Sequence, residues 1–164
     1  NADYVITREL PDGSLSPQLN LSEIIDYHES CKRTLNTVIT MALIAVERET
    51  ATRFGVARFE ETKGFNLVRS FGEKPKVKDC PENPLINAGV YIIDTNFILS
   101  NIDKFLPYKT NINLETTLLE QLVKEGDPRL AAYLLDLKSW FDVGTLEQLV
   151  DVNVLIASRK GVGL

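Results

Sequence analysis

The sequence predicts an α/β fold, read as a single domain over residues 1–164. Three observations predict it. Short runs that are apolar on both faces, such as Asn36 to Val46, suit strands covered on both sides. Between them lie stretches whose apolar residues recur at helical spacing, as in Leu114, Leu118, Leu119 and Leu122. Finally, a chain of 164 residues with 44% hydrophobic and 25% charged content can bury one real core.

The elements follow in order. Asn1 to Ile6 reads as the end of a buried strand whose preceding partners are missing, so the domain is expected to be truncated at its N-terminus. Residues 9–19 are rich in Pro, Gly, Ser and Asp and read as a loop. Asn20 then caps a helix, with Glu23 in the capping-box position and Leu21, Ile24, Ile25 and His28 on one apolar face. Asn36 to Val46 is the doubly buried strand. Phe54 to Phe59 and Phe65 to Phe71 are further strands around the polar turn Glu60 to Gly64. Lys74-Pro75 ends the second of these, and Pro81 and Pro84 punctuate the loop that follows. Ile86 to Ile93 is a strand, and Phe97 to Phe105 is read as short helical turns. Asn113 caps a helix with the stripe Leu114, Leu118, Leu119, Leu122 and Val123, closed by Gly126. Leu130 to Leu135 is a short strand. Trp140 to Asp142 leads into Gly144, after which Thr145 and Gln148 form a second capping box. The last helix is expected to turn Leu146, Leu149, Val150 and Val154 inward.

Charge and composition narrow the function classes. A net charge of −5 without a Lys/Arg block argues against a nucleic-acid partner, yet leaves room for a phosphate, which needs only one or two local cations. Apolar runs such as Met41 to Val46 are too short to span a bilayer. Cys31 and Cys80 are isolated thiols, which favours neither a disulfide framework nor a cysteine metal site. A cytoplasmic protein is expected. His28, the only histidine, lies on the apolar stripe and is read as structural.

Five stretches place polar or glycine residues at the ends of apolar elements: Asn1-Ala2-Asp3, Phe54-Gly55-Val56-Ala57, Glu73-Lys74-Pro75, Asn87-Ala88-Gly89-Val90-Tyr91, and Trp140 to Thr145. Ligands of open α/β sheets gather at strand ends, so these stretches can converge. Asp3 and Asp142 lie 142 − 3 = 139 residues apart, so a joint site must be tertiary. Singly, each residue also has a structural reading. Asp142 suits the dipole of the helix near Thr145, Glu73-Lys74 suits a surface ion pair, Gly55 and Gly89 suit close packing, Trp140 suits a core, and Glu115 suits a first helical turn.

In this order and spacing the series resembles the sugar-nucleotide pyrophosphorylases, over essentially the whole chain. The resemblance implies a Rossmann-like nucleotidyltransferase domain with a mixed, mainly parallel sheet between helices. It implies transfer of a nucleoside monophosphate from a triphosphate to a sugar-1-phosphate, with release of pyrophosphate. By the same resemblance Asp3 and Asp142 hold Mg2+, and Lys74 neutralises the sugar phosphate. Glu73 and Asn87 bind sugar hydroxyls, Gly55 and Gly89 let the ring approach, Trp140 lines the pocket, and Glu115 matches an acidic residue of the site. Asn87-Ala88-Gly89 and Asn113-Leu114-Glu115 lean towards mannose-1-phosphate guanylyltransferases or glucose-1-phosphate nucleotidyltransferases. Two departures stand out. Ala2-Asp3 replaces the family's usual Gly-Asp, and no counterpart of the Gly-x-Gly-x-Arg loop that grips the triphosphate occurs in these 164 residues. The alternatives are a non-catalytic regulatory or interaction subunit of the same fold, or a small sugar-phosphate-binding protein. Three expectations follow: Asp3, Asp142 and Lys74 share one cleft; the strand Asn36 to Val46 leaves an apolar patch exposed or hidden by dimerisation; and these residues alone show no turnover.

Overall fold

A computed structural model describes residues 4–9, 15–16, 19–105, 114–124, 129–135 and 139–159. They divide into two compact units, one drawn from residues 22–135 and the other from the described residues of 1–21 and 136–164.

The central unit begins with helix α1 (Leu21–Leu35). It starts directly after Asn20 and ends at Asn36, whose φ of 57° is the left-handed stop that Asn tolerates and whose N–H returns to Lys32 O at 3.0 Å. Its buried face is Ile24, His28 and Cys31, at i, i+4 and i+7. The expected inward face was partly wrong: Leu21 and Ile25 are exposed, because burial follows the narrower line that meets the sheet.

Five strands close into a barrel: β3 (Ile39–Ala45), β4 (Gly55–Thr62), β5 (Phe65–Glu73), β6 (Leu85–Ile93) and β7 (Leu130–Leu134), ordered β3-β6-β4-β5-β7. The remaining strands are β1 (Tyr4–Glu9), β2 (Leu15–Ser16) and β8 (Ser139–Asp142). The expectation of a mainly parallel sheet is corrected here. Among the described residues only β3 and β7 pair in parallel. The reason is local for one pair: Lys63 (φ 52°) and Gly64 (φ 81°) make a two-residue turn that folds β4 directly back onto β5.

Strand β3 is buried on both faces, as its sequence predicts, and helices do cover it. Ile39, Met41 and Leu43 join a core with Leu118, Leu119 and Leu122, while Thr40 on the other face bonds His28 of α1 at 2.9 Å. Its residues from Ile39 to Leu43 are 0% exposed, with Thr40 among them. An exposed or dimer-hidden patch on this strand is therefore ruled out; β6 and β7 flank it, and its own chain encloses it.

Helix α2 (Arg48–Ala51) is one short turn, and α3 (Thr95–Phe105) is one continuous helix rather than separate turns. Asp94 starts α3 by accepting the N–H of Asn96 at 2.8 Å, and pairs with Lys32 of α1 at 2.6 Å. Leu114–Leu119 forms a π-helical turn that runs into α4 (Glu120–Lys124). The proposed cap Asn113 and stop Gly126 lie outside the described residues.

The other unit holds a three-stranded antiparallel sheet in the order β2-β1-β8 and helix α5 (Leu146–Arg159). The stretch read as a loop thus contains β2, which pairs Leu15 and Ser16 with Glu9 and Arg8. The second capping box is present: Thr145 N–H donates to Gln148 Oε1 at 3.0 Å and Gln148 N–H to Thr145 Oγ1 at 3.2 Å. The inward face of α5 was misread. Leu146, Leu149, Val150 and Val154 are exposed, and Val152 is buried. Val152 lies about 200° round the helix from Val150, so the buried side is not the one the expected stripe marks. No described helix is long and apolar enough to cross a membrane.

Candidate functional site

Six of the nine predicted site residues lie in the central unit. Gly55 opens β4 opposite Glu73 at the end of β5. A Cβ on Gly55 would stand 2.4 Å from Phe71 Cζ and 2.8 Å from Glu73 Oε2. Glycine is needed there because the Phe71 ring and the Glu73 carboxylate fill the space, an intramolecular reason for the close approach.

Strand alternation would send Glu73 and Lys74 to opposite faces. The backbone breaks that alternation at Lys74 itself, whose φ is 48° and whose N–H donates to Phe54 O at 3.0 Å. Lys74 Nζ consequently comes 3.9 Å from Glu73 Oε1, an ion pair whose lysine remains largely exposed. Arg48 holds the segment that follows, donating from Nη2 to Val77 O at 3.1 Å and to Cys80 O at 2.8 Å. Burial pushes the Glu73 carboxyl above its ordinary pKa; Lys74 opposes this, and the charges of Glu115 and Glu120 add to it. Glu73 and Glu115 therefore act in one electrostatic neighbourhood.

Asn87 and Gly89 lie on β6 where the ladder slips. Asn87 pairs with Leu43 and Tyr91 with Met41, so Ala88, Gly89 and Val90 stand opposite Ala42 alone. Gly89 makes this bulge possible with a φ of 76°, which explains the glycine without a ligand. The Asn87 side chain is 7% exposed and turned inward on its own motif. Its Oδ1 accepts the N–H of Gly89 at 3.0 Å, and its Nδ2 donates to the hydroxyl of Tyr91. Tyr91 in turn donates to Glu115 Oε1 at 3.1 Å. Glu115 sits in the π-helical turn, a distortion common at functional sites. Tyr91 is the residue that the reading of single motifs missed. The available signal was its spacing: four residues from Asn87 on a strand returns to the same face.

Of the remaining three candidates, two lie in described residues of the other unit. Asp142 and the half-buried Trp140 sit on β8 of the other unit, paired with Tyr4 and Ile6. Asp142 ends its strand, and its Oδ1 accepts the N–H of Gly144 at 3.3 Å. Asp3 lies outside the described residues, and the expected shared cleft of Asp3, Asp142 and Lys74 is thus untested. Among the described residues no group of three or more His, Cys, Asp or Glu is placed to hold a metal ion. His28 is structural: buried against Thr40, its pKa is lowered by burial.

Residues 8–159 match the family model described as nucleotidyl transferase. Curated relatives include a glucose-1-phosphate adenylyltransferase of Desulfitobacterium hafniense, 32% identical across 84% of this chain and 33% of the relative. Another, of Mycoplasma mobile, is 28% identical across 90% of this chain and 36% of the relative. The chain therefore spans about a third of the length of such relatives. A solved UDP-glucose pyrophosphorylase complexed with UDP-glucose shares the fold, with a TM-score of 0.63, 21% identity, and coverage of 96% of this chain and 54% of that one. With the matched span covering most of its length, the chain belongs to the nucleotidyl transferase family.

Proposed function

We propose that this chain is the sugar-phosphate-binding part of a sugar-1-phosphate nucleotidyltransferase, acting on a hexose 1-phosphate, with glucose 1-phosphate the first candidate. The observation that carries this reading is the presence in one unit of Glu73 at the end of β5, Lys74 just after it, Asn87 from β6 and Glu115 from the π-helical turn. In the reaction a phosphate oxygen of the sugar attacks the α-phosphorus of a nucleoside triphosphate. The new O–P bond forms as the bond to the β-phosphate oxygen breaks, and pyrophosphate leaves. No covalent enzyme intermediate is needed, so the chain's work is positioning and charge neutralisation. Lys74 is largely exposed, a compact cation able to meet the sugar phosphate, with its head steadied by Glu73. Asn87 and Glu115 offer a donor and an acceptor to the ring hydroxyls.

Asp142 supplies carboxylate oxygen at a strand end, the hard donor that Mg2+ prefers, and Asp3 would be its partner ligand. One or two carboxylates suffice, since Mg2+ keeps several waters, and the Asp142 carboxylate is a donor of the kind it takes. When bound, the ion would neutralise charge on the reacting phosphates.

Titration of the chain with glucose 1-phosphate by calorimetry tests the reading. Saturable binding is expected, weakened about tenfold or more in Lys74→Ala by loss of a charge-assisted contact. A chain that binds no hexose phosphate would instead be a regulatory or interaction subunit.

A further inference from the structure

The direction of the hydrogen bonds around Tyr91 restricts what Asn87 and Glu115 can offer a ligand. A carboxamide has two N–H donors and an oxygen acceptor, and an ionised carboxylate only accepts. Asn87 Oδ1 takes the N–H of Gly89 at 3.0 Å, which fixes the orientation of the amide and turns its nitrogen to Tyr91. Because the Tyr91 oxygen accepts that N–H, its own proton is directed to Glu115 Oε1, 3.1 Å away. The order of donors is therefore set from the bulge of β6 to the π-helical turn. Two groups are left over: the second N–H of Asn87 and the second oxygen of Glu115 make no hydrogen bond to a described residue. They form one donor and one acceptor, both held through the same phenolic hydroxyl.

We propose that Tyr91 is a positioning residue which holds Asn87 and Glu115 as a donor–acceptor pair for two hydroxyls of a hexose 1-phosphate, and so sets which epimer is accepted. This rests on the reading of the chain as a sugar-phosphate-binding unit and deepens it. A hydroxyl can both donate and accept, so one sugar hydroxyl gives its proton to Glu115 while another receives the N–H of Asn87. An epimer with one of these hydroxyls inverted leaves a partly buried polar group unpaired, and that cost supplies the discrimination. Without the phenolic hydroxyl, Glu115 loses its anchor on β6 and the Asn87 amide loses its acceptor. Lys74, which faces the phosphate rather than the ring, is unaffected.

The test measures affinities of the chain for glucose 1-phosphate, its mannose and galactose epimers, and inorganic phosphate. Tyr91→Phe should lower affinity for the preferred hexose phosphate about tenfold, the worth of a hydrogen bond to a charged group, and flatten the preference among epimers. Affinity for inorganic phosphate should not change. Tyr91→Phe and Glu115→Gln combined should cost less than the sum of the two single changes, since Tyr91 acts through Glu115. Full epimer preference in a folded Tyr91→Phe chain, or strict additivity, overturns the inference while the sugar-phosphate reading stands. If the unmodified chain binds no hexose phosphate, that earlier reading falls first. Should Tyr91→Phe fail to fold, nuclear magnetic resonance on the unmodified chain decides. Side-chain signals of Asn87, Tyr91 and Glu115 are expected to shift together on saturation with glucose 1-phosphate. Signals of Tyr91 and Glu115 that stay still while the ligand binds overturn the proposal.

Discussion

Gly55 and Glu73 illustrate how one residue's chemistry is set by its opposite number. The space a Cβ at position 55 would need is held by Phe71 Cζ at 2.4 Å and Glu73 Oε2 at 2.8 Å. Phe71 belongs to the core and cannot move cheaply. Gly55→Ala is therefore expected to destabilise the chain by about 1–3 kcal/mol, the usual cost of overpacking, seen as a lower Tm. It should also weaken hexose-phosphate binding by displacing Glu73. The Glu73 carboxyl gives a pH signature. Burial raises its pKa above the ordinary 4.5, so the fold disfavours its ionised form. Its contribution to stability is fully present below that ordinary value and is lost as pH rises through the raised one. Glu73→Gln removes this loss. Thermal melts should show the variant gaining on the parent as pH climbs from 4.5 towards neutrality, and parallel curves would refute the assignment.

The seam that closes the barrel is bonded by an element that is not a strand. Strands β5 and β7 pair only through Asn66 with Ala132 and Leu67 with Ala131. Tyr27 of α1 extends this short seam: its hydroxyl accepts the N–H of Asn66 and donates to Ala132 O, each at 3.0 Å. Its ring meets Phe65 and Tyr133 edge-on at 5.5 and 5.2 Å, and burial raises its pKa to about 12. Tyr27→Phe keeps the ring and removes the bridge. We expect a loss of about 1–3 kcal/mol from the orphaned backbone groups, with faster amide exchange at Asn66. Unchanged exchange there would show that the ladder holds without the hydroxyl. Helix α5 teaches the converse lesson. Its capping box was legible because it is written within four residues, Thr145 to Gln148. Its buried face was not, because a helical period places apolar residues on a stripe without saying which side another element will cover.

Across the whole molecule, the proposed transfer also requires a grip on the triphosphate. With no glycine-rich triphosphate loop in the sequence, the 164 residues alone should release no pyrophosphate from any triphosphate and sugar-1-phosphate pair. In a longer active protein containing this chain, Asp142→Asn should cut turnover by orders of magnitude with the fold intact, and raise the Mg2+ concentration needed; full activity would refute the proposed metal role of Asp142. The sequence by itself determined the α/β class, the place of most helices and strands though not of β2 or α2, the turn ending at Gly64, and the short polar motifs. These depend on local matters: side-chain period, left-handed residues and caps. Only the tertiary structure decided that β3 is enclosed and that the sheet is mainly antiparallel. It also decided that Tyr27 completes the β5–β7 seam and that Tyr91 joins Asn87 to Glu115, 28 residues later in the chain. A residue's own pattern states that it favours burial or a hydrogen bond. Which distant group meets that demand is settled only when all the elements pack at once.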